Sequence, residues 1–349
     1  MAKVQTIRAA VLGASGYTGA DMIRLAARHP GIEITALIAK GHAGQSLTQV
    51  FPHLSSLGLP ALVTAEDADW DQVDVVFCGL PHGTAHNEIG KLPKRIKVVD
   101  MSADFRLRDP KLYAEWYGGE HSAPALIEEA VYGLTEHYRD RIKSARLVAC
   151  PGCYPTAVLL ALLPLVKAKL IETADIIIDA KSGVSGAGRT LKQSILFSEA
   201  GEGLSPYGIG NHRHVPEIEQ ELGAASGSAV RVNFTPHLAP MARGELCTSY
   251  VRLAGKASAA DLRQALTGAY AGGPFVRILE DGAIPATQQV RGSNFCHIGV
   301  FADRLPGRAI VVSAIDNLVK GSAGQALQNF NLMYGFAETE GLGQLPLFP

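Results

Sequence analysis

An apolar run, Ile7-Arg8-Ala9-Ala10-Val11-Leu12, passes without a linker into Gly13-Ala14-Ser15-Gly16-Tyr17-Thr18-Gly19. A segment with Met22, Ile23, Leu25 and Ala26 at helical spacing follows directly. A buried strand that turns through glycines straight into a helix is the opening of a βα unit, and it directs the chain toward a parallel sheet. The spacing G-x-x-G-x-x-G is a relative of the dinucleotide fingerprint. Glycines permit a tight turn and a close approach of backbone to phosphate, and the helix N-terminus favours a pyrophosphate. Gly13, Ser15, Gly16, Tyr17, Thr18 and Gly19 are therefore candidate cofactor contacts. A plain tight turn between strand and helix has the same glycines and is the alternative.

The end of the second strand, residues 32–39, refines this reading. An NAD site expects an acid about 20 positions past the glycines, where it holds the ribose 2′-OH. Here the strand runs into Lys40-Gly41-His42, with no carboxylate and one cation. That end suits a 2′-phosphate and points to NADP(H), with Lys40 as its candidate partner. An ordinary solvated lysine is the alternative.

Further strand-like runs at 74–80, 96–100 and 146–150 alternate with helical or loop segments, the signature of a parallel, doubly wound sheet. Beyond Cys153 the pattern changes. Runs at 175–180, 230–235, 246–253, 275–279, 296–301 and 309–314 read as strands with fewer helices between them, as in an antiparallel or mixed sheet. Residues 258–270 and a segment near 322–334 read as helices. A length of 349 residues suits two domains. Loops at 41–60, 183–188 and 201–214 are long for connections, and long loops are often functional.

With 47% apolar and 19% charged residues, the composition is that of a soluble enzyme with ample core. A net charge of −1 leaves no electrostatic footprint for nucleic acid or an anionic membrane. No apolar run is long enough for a membrane span, and Met1-Ala2-Lys3-Val4-Gln5 carries no export-signal core, so a cytoplasmic location is expected. Five cysteines, an odd count, suit a reducing compartment without a disulfide framework.

The chemistry centres on Ala149-Cys150-Pro151-Gly152-Cys153-Tyr154-Pro155-Thr156. A strand is expected to end at Cys150 and a helix to begin near Pro155, since proline is tolerated in a first helical turn. Cys153 then sits at a helix N-terminus, where unpaired N–H groups and the helix dipole favour a thiolate. A buried structural cysteine is the alternative. Cys150 and Cys153 also form a C-x-x-C, the spacing of a dithiol redox site. A zinc site would need further ligands that the spacing does not supply.

Three polar clusters follow. Lys181-Ser182-Gly183-Val184-Ser185-Gly186-Ala187-Gly188-Arg189 comes directly after a strand, and Ser182 and Gly183 open a flexible backbone able to close over a cofactor; a mobile loop reads the same way. Asn211-His212-Arg213-His214 precedes a proline-started helix, and histidine is the usual proton donor or acceptor near neutral pH. Arg243, in Pro240-Met241-Ala242-Arg243-Gly244, can hold a carboxylate or phosphate bidentately or form an ordinary salt bridge. The dithiol reading leaves these clusters without a role. A nicotinamide cofactor, a thiolate, a proton donor and anion-binding arginines fit one chemistry, in which an acyl group on cysteine is reduced by hydride and leaves as an aldehyde.

Taken in order, these motifs resemble the N-acetyl-γ-glutamyl-phosphate reductase family, within the aspartate-semialdehyde dehydrogenase-like enzymes. The resemblance spans nearly the whole chain. It is carried by Gly13–Gly19, Gly79-Leu80-Pro81-His82-Gly83, Ser102-Ala103-Asp104-Phe105-Arg106-Leu107, Trp116-Tyr117-Gly118-Gly119-Glu120-His121 and Val131-Tyr132-Gly133-Leu134. It continues through Pro151–Thr156, Lys181–Gly188, His212–Ile218, Asp316-Asn317-Leu318 and Gly321-Ser322-Ala323-Gly324-Gln325-Ala326.

The resemblance implies an α/β chain: a doubly wound (Rossmann) NADP-binding domain, residues 1–152 and 315–349, plus an α+β catalytic and oligomerisation domain, 153–314, with a mixed or antiparallel sheet. It implies Cys153 as the acyl-forming nucleophile, His214 as acid/base, and His212 as a substrate-binding residue. Arg106, and less directly Arg243, would contact a substrate anion. Asn317 would meet the nicotinamide end of NADP(H). The implied reaction is NADPH-dependent reduction of N-acetyl-L-glutamyl 5-phosphate, a small-molecule substrate, in arginine biosynthesis, by a homo-oligomer, dimer or tetramer. A related reductase of lysine biosynthesis, acting on a carrier-protein-bound acyl phosphate, is the alternative within enzymes. Such an enzyme is expected to carry a basic surface for its acidic carrier, which the near-zero net charge does not suggest. An NADP-binding sensor or scaffold is the alternative outside them.

Overall fold

The computed structural model describes residues 6–349, so the expectation for the first five residues lies outside the described ones. The chain divides into two compact units: Met1–Pro151 with Ser322–Gly343, and Gly152–Gly321 with Gln344–Pro349.

In the first unit, β1 (Ile7–Leu12), β2 (Ile32–Ile38), β3 (Leu62–Val63), β4 (Val75–Cys78), β5 (Lys97–Asp100), β6 (Val131–Tyr132) and β7 (Leu147–Ala149) form one sheet. Its order is β3-β2-β1-β4-β5-β7-β6, and every pairing is parallel. Val-Val-Phe-Cys of β4 and Leu-Val-Ala of β7 are buried throughout, as strands covered on both faces must be. Leu12, Val76, Cys78, Val98 and Leu147 share one core. The strand order reverses beside β1, and ligands of doubly wound sheets bind beyond the carboxyl ends of strands at such a switch. The two-residue strands β3 and β6 are too short to show a periodicity, so pattern alone misses them. The helix Gly324–Tyr334 packs on the helices Tyr17–Ala26 and Thr135–Lys143 and on β5. Buried polar side chains of this helix bond across the unit: Asn329 accepts from Thr135 Oγ1 (2.7 Å) and donates to the Gly133 carbonyl (2.8 Å).

In the second unit, β8 (Ile176–Gly183), β9 (Ser205–Pro206), β10 (Val232–Ala239), β11 (Glu245–Arg252), β12 (Val276–Ile278), β13 (Cys296–Ala302) and β14 (Arg308–Ile315) form a mixed sheet. Its order is β12-β13-β14-β11-β8-β10-β9. The β12–β13 and β8–β10 pairs are parallel and the others antiparallel. The helix Cys153–Lys167 is apolar all round and buried from Tyr154 to Val166. A helix without a polar face must be covered on every side. It packs on β11, β14 and the helices Val215–Ser226 and Ala259–Ala269.

Residues 315–321 and 344–349, expected with the first unit, belong to the second. Hydrogen bonds account for both. Asp316 accepts from the Gly292 N–H (2.6 Å), and Asn317 Oδ1 accepts from the Gly244 N–H (2.9 Å). The tail is tied by the Leu347 N–H to the Arg291 carbonyl (2.8 Å) and by Arg291 to the Pro349 carbonyl. A sheet connection and a short tail carry no periodicity that would assign them.

The Cys153 helix runs through Pro164, which has no N–H to offer the Leu160 carbonyl one turn back. Tyr270 Oη donates to that carbonyl at 2.5 Å, in a buried position. Tyr270→Phe should therefore cost about 1–3 kcal/mol in urea unfolding, the penalty of an unsatisfied buried acceptor. In a Pro164→Ala background the new N–H takes over, and the same change should cost measurably less. Equal costs in both backgrounds would contradict the assignment.

Candidate active site

The glycine turn of the first unit is shaped by close backbone approaches. Gly13 has φ +82°, and a Cβ there would lie 2.6 Å from the Gly79 carbonyl oxygen. A Cβ on Gly19 would lie 2.3 Å from the Gly13 carbonyl oxygen. The Gly13 and Ala14 N–H groups donate to the Ile38 carbonyl (3.0 and 3.1 Å), which fixes the turn at the end of β2. The helix Tyr17–Ala26 starts with no side-chain cap and no acid in its first turn, so its N-terminal dipole is unopposed. Tyr17 is exposed and Ser15 half-buried at this mouth. These features fit a dinucleotide pyrophosphate. Lys40 is exposed in a short 3₁₀ turn after β2. An acid does lie within its electrostatic reach: Glu66 is held below the usual carboxylate range by its own backbone N–H and Thr64, with Lys40 contributing. It comes from beyond β3 rather than from the end of β2.

Cys153 is the first residue of its helix, two positions earlier than the sequence expectation, with Gly152 as the N-cap. It is half-buried, whereas the other four cysteines, all free thiols, are buried. Both neighbours of Cys153 depend on glycine. A Cβ on Gly152 would lie 2.4 Å from His214 Nε2, and one on Gly321 would lie 2.8 Å from the Cys153 Cβ. The imidazole thus lies against the backbone just before the sulfur-bearing residue. The Gly152 N–H donates to Glu217 Oε1 at 2.9 Å, in the interior.

His214 is the N-cap of the helix Val215–Ser226, and Glu217 lies in its first turn. The His214 N–H donates to His212 Nδ1 (3.2 Å), so this nitrogen is the acceptor and the proton of neutral His212 sits on Nε2. Burial, helped by the charge of Arg213, pushes His212 down to about 4. Its ring lies edge-on to Tyr154, Tyr207 and His214, with centroids 5.7, 5.3 and 4.8 Å away. Tyr207 Oη donates to Tyr154 Oη (3.2 Å), which donates to the His237 carbonyl (3.4 Å). Burial raises both phenols, so they stay protonated donors.

Asn317, fully buried, ties two loops. Its Oδ1 accepts from the Gly244 N–H and its Nδ2 donates to Ser185 Oγ, both at 2.9 Å. Ser182 is buried, and its hydroxyl donates to the Gly183 carbonyl (3.1 Å). Gly183 is bonded to the Gly244 carbonyl, and its Cα face is closed by the Met241 and Ala242 carbonyls. Arg243, partly exposed, approaches Asp316 at 3.5 Å. In the first unit Arg106 is buried; its Nε donates to the Cys150 carbonyl (2.8 Å) and its Nη2 to the Met101 carbonyl (3.0 Å). These two bonds hold the backbone at Cys150 and Met101. Cys150 is buried as well, and its sulfur accepts from Asn329 Nδ2 (3.6 Å).

Two carboxylates escaped the sequence reading of roles. Glu217 is readable in retrospect, because an acid three residues past His214 shares its helix face. Glu245 gives no such signal. It opens β11, has no exposed surface, and neither oxygen has a hydrogen-bond partner of regular geometry. Among the described residues no group of three or more His, Cys, Asp or Glu is arranged to hold a metal ion, and no helix is long and apolar enough to cross a membrane.

Residues 8–145 match the family described as "Semialdehyde dehydrogenase, NAD binding domain", and residues 153–317 match "Semialdehyde dehydrogenase, dimerisation domain". A chain from Arabidopsis thaliana, "Probable N-acetyl-gamma-glutamyl-phosphate reductase, chloroplastic", is 57% identical over 98% of this chain and 86% of its own. "N-acetyl-gamma-glutamyl-phosphate reductase" of Rhodospirillum rubrum is 55% identical over 99% of both. Among solved structures, aspartate semialdehyde dehydrogenase II from Vibrio cholerae superposes with a TM-score of 0.71 at 16% identity, over 94% of this chain and 98% of that one. Aspartate semialdehyde dehydrogenase with NADP from Candida albicans gives 0.69 at 18% identity, over the same shares. These structures share the fold. With full-length relatives above half identity, the chain belongs to the semialdehyde dehydrogenase family, among its N-acetyl-γ-glutamyl-phosphate reductases.

Proposed function

We propose that this chain reduces N-acetyl-L-glutamyl 5-phosphate to N-acetyl-L-glutamate 5-semialdehyde and phosphate, with NADPH as reductant and Cys153 as nucleophile. The observation that carries the reading is one half-buried thiol at a helix N-terminus with an imidazole edge against the preceding residue. The glycine turn would hold NADPH, with Lys40 a partner for its 2′-phosphate, and the bound cofactor would supply hydride.

The residues divide the work. The dipole of the Cys153 helix stabilises the thiolate, whose sulfur displaces phosphate from the acyl carbon to leave a thioester. His214 protonates the departing phosphate and steadies the oxyanion that forms when the thioester is reduced. His212, neutral and boxed by Tyr154 and Tyr207, orients His214 and binds substrate. Glu217 holds the Gly152 N–H and so fixes the entry to the Cys153 helix. Arg243 is the substrate-anion contact. Asn317 keeps the backbones at Gly244 and Ser185 in place, and the nicotinamide contact is the further task the resemblance suggests for it. Arg106 supports the Cys150 turn, and an anion contact is the second task the resemblance suggests for it. The second unit's match to a dimerisation domain supports a homo-oligomer, and free thiols suit a reducing, cytoplasmic setting.

The purified protein should reduce NADP⁺ when given N-acetylglutamate semialdehyde and phosphate, and do so far more slowly with aspartate semialdehyde. Cys153→Ala should abolish the reaction, whereas Cys150→Ala should keep most of it. Equal losses from the two substitutions would favour a dithiol mechanism.

Cofactor choice is tested at Lys40. Lys40→Asp should weaken NADPH binding by roughly 1–3 kcal/mol, the scale of a charge-assisted hydrogen bond. Fluorescence titration reads this directly. Comparable use of NADH and NADPH by the unmodified protein would overturn the assignment.

His214→Asn should lower kcat by about 10²–10⁴ with NADPH binding nearly unchanged, the usual worth of general acid–base catalysis. His212→Asn should mainly raise KM, because a substrate-binding group contributes alike to ground and transition states. A larger kcat loss at His212 than at His214 would mean that the two roles are exchanged.

A further inference from the structure

Gly79-Leu80-Pro81-His82-Gly83 follows β4 and has no task in the reading above. Its first residues lie on the glycine turn. The Gly79 N–H donates to the Leu12 carbonyl (2.8 Å), and a Cβ on Gly13 would meet the Gly79 carbonyl carbon at 2.8 Å and the Leu80 nitrogen at 3.3 Å. From there the loop runs outward, and Pro81, His82, Gly83 and Thr84 are exposed. Exposed loops are ordinarily the mobile parts of a fold. This one is fixed from the interior by a single carboxylate.

That carboxylate is Asp104, in the turn after β5, with no exposed surface. Its Oδ1 accepts from the Gly83 N–H (2.8 Å) and from Tyr113 Oη (2.8 Å), and its Oδ2 accepts from the His86 N–H (3.1 Å). Burial raises the Tyr113 phenol, so it stays a donor. Gly83 is held at its carbonyl as well. The Ser122 N–H donates to His86 Nδ1 (2.8 Å), so Nε2 carries the ring proton and donates to the Gly83 carbonyl (3.0 Å). Gly83 has φ +76°, a backbone that residues with side chains rarely adopt. Thr84 Oγ1 closes the loop on the Pro81 carbonyl (2.6 Å). The His82 ring lies 5.8 Å from that of Tyr117, which stacks on Tyr113 at 4.9 Å.

A buried carboxylate is costly unless hydrogen bonds compensate it, and here two of its three donors are backbone N–H groups at the end of an exposed loop. The sheet order says what that loop faces. Strands β2, β1 and β4 are successive neighbours, about 4.8 Å apart. With a 2′-phosphate at Lys40 beyond β2 and a pyrophosphate at the glycine turn beyond β1, the rest of an extended dinucleotide would pass over the end of β4. We infer that Asp104 is a positioning residue that holds the loop 80–83 as the wall for the nicotinamide mononucleotide half of NADP(H). The inference rests on the cofactor reading above. Asp104 acts through Gly83 and His86 rather than on the cofactor itself. Its loss should therefore be felt in the binding of that half, while the adenosine half is read at Lys40 and the glycine turn.

The test compares calorimetric binding of NADPH with that of adenosine 2′,5′-bisphosphate, which lacks the nicotinamide half, in the parent, Asp104→Asn and Tyr113→Phe. In Asp104→Asn one acceptor oxygen becomes a donor NH₂, so the loop loses a bond. NADPH should then bind about tenfold more weakly, the scale of one hydrogen bond to a charged group. The bisphosphate should stay within about twofold of the parent, as for a site without shared partners. Tyr113→Phe keeps the Gly83 and His86 bonds, so it should weaken NADPH less and likewise spare the bisphosphate. Equal weakening of both ligands would make Asp104 a support of the whole unit, and unchanged NADPH binding would place the loop away from the cofactor; either result overturns the inference. If Asp104→Asn does not fold, amide exchange in the parent decides. NADPH should slow exchange across residues 79–84 and the bisphosphate should not, whereas the same protection by both, or by neither, would overturn the inference. A fault in the cofactor reading shows in the parent, which would bind neither ligand; a fault in this inference leaves parent binding intact.

Discussion

Two helix starts are pinned to each other inside the second unit, and the site depends on that join. The Gly152 N–H, one of the orphan donors of the Cys153 helix, is taken by Glu217 in the first turn of the next helix. The same Gly152 has no side chain, and the His214 imidazole occupies the space a Cβ would fill. One backbone position therefore sets both where the sulfur emerges and where the His214 imidazole lies. Gly321 closes the opposite side of Cys153 in the same manner. A Cβ at Gly152 would displace the His214 imidazole, and one at Gly321 would displace Cys153.

Around that join the polar groups are matched to their surroundings rather than merely buried. His212 is kept neutral by burial, so it accepts from the His214 backbone and adds no charge beside the His214 ring. Tyr154 and Tyr207 form a chain of protonated hydroxyls ending on a backbone carbonyl. Asn317 spends both ends of its amide on two loops, so the segments on which Ser182, Gly183 and Arg243 sit hold one arrangement. The tyrosine pair and Asn317 are each held by partners far away in sequence, which fixes them more tightly than a local turn does.

How much of this was legible in the sequence follows from where the signals come from. The first unit was readable because parallel strands are continuous apolar runs and because glycines at a βα turn have a steric cause; β1 was placed with its observed bounds. The two-residue strands β3 and β6 carry no period, and the assignment of residues 315–321 depends on hydrogen bonds from Asp316 and Asn317 that no local pattern encodes. Cys153 and His214 stand out because their residue types are chemically rare in such a setting. Arg106 stood out for its charge, yet two of its donors go to backbone carbonyls. Glu245 was invisible for the opposite reason: an acid at a strand start reads as solvated, and only the pairing of β11 between β8 and β14 takes it out of water.

The central claim is that the acyl group passes through the Cys153 sulfur. Incubating the protein with N-acetylglutamyl phosphate in the absence of NADPH, quenching in acid and mapping peptides by mass spectrometry tests it most directly. The acyl mass should appear on the peptide that holds Cys153, with phosphate released in equal amount, and should disappear as aldehyde when NADPH is added. An unmodified Cys153, with the acyl group elsewhere or a Cys150–Cys153 disulfide in its place, would contradict it.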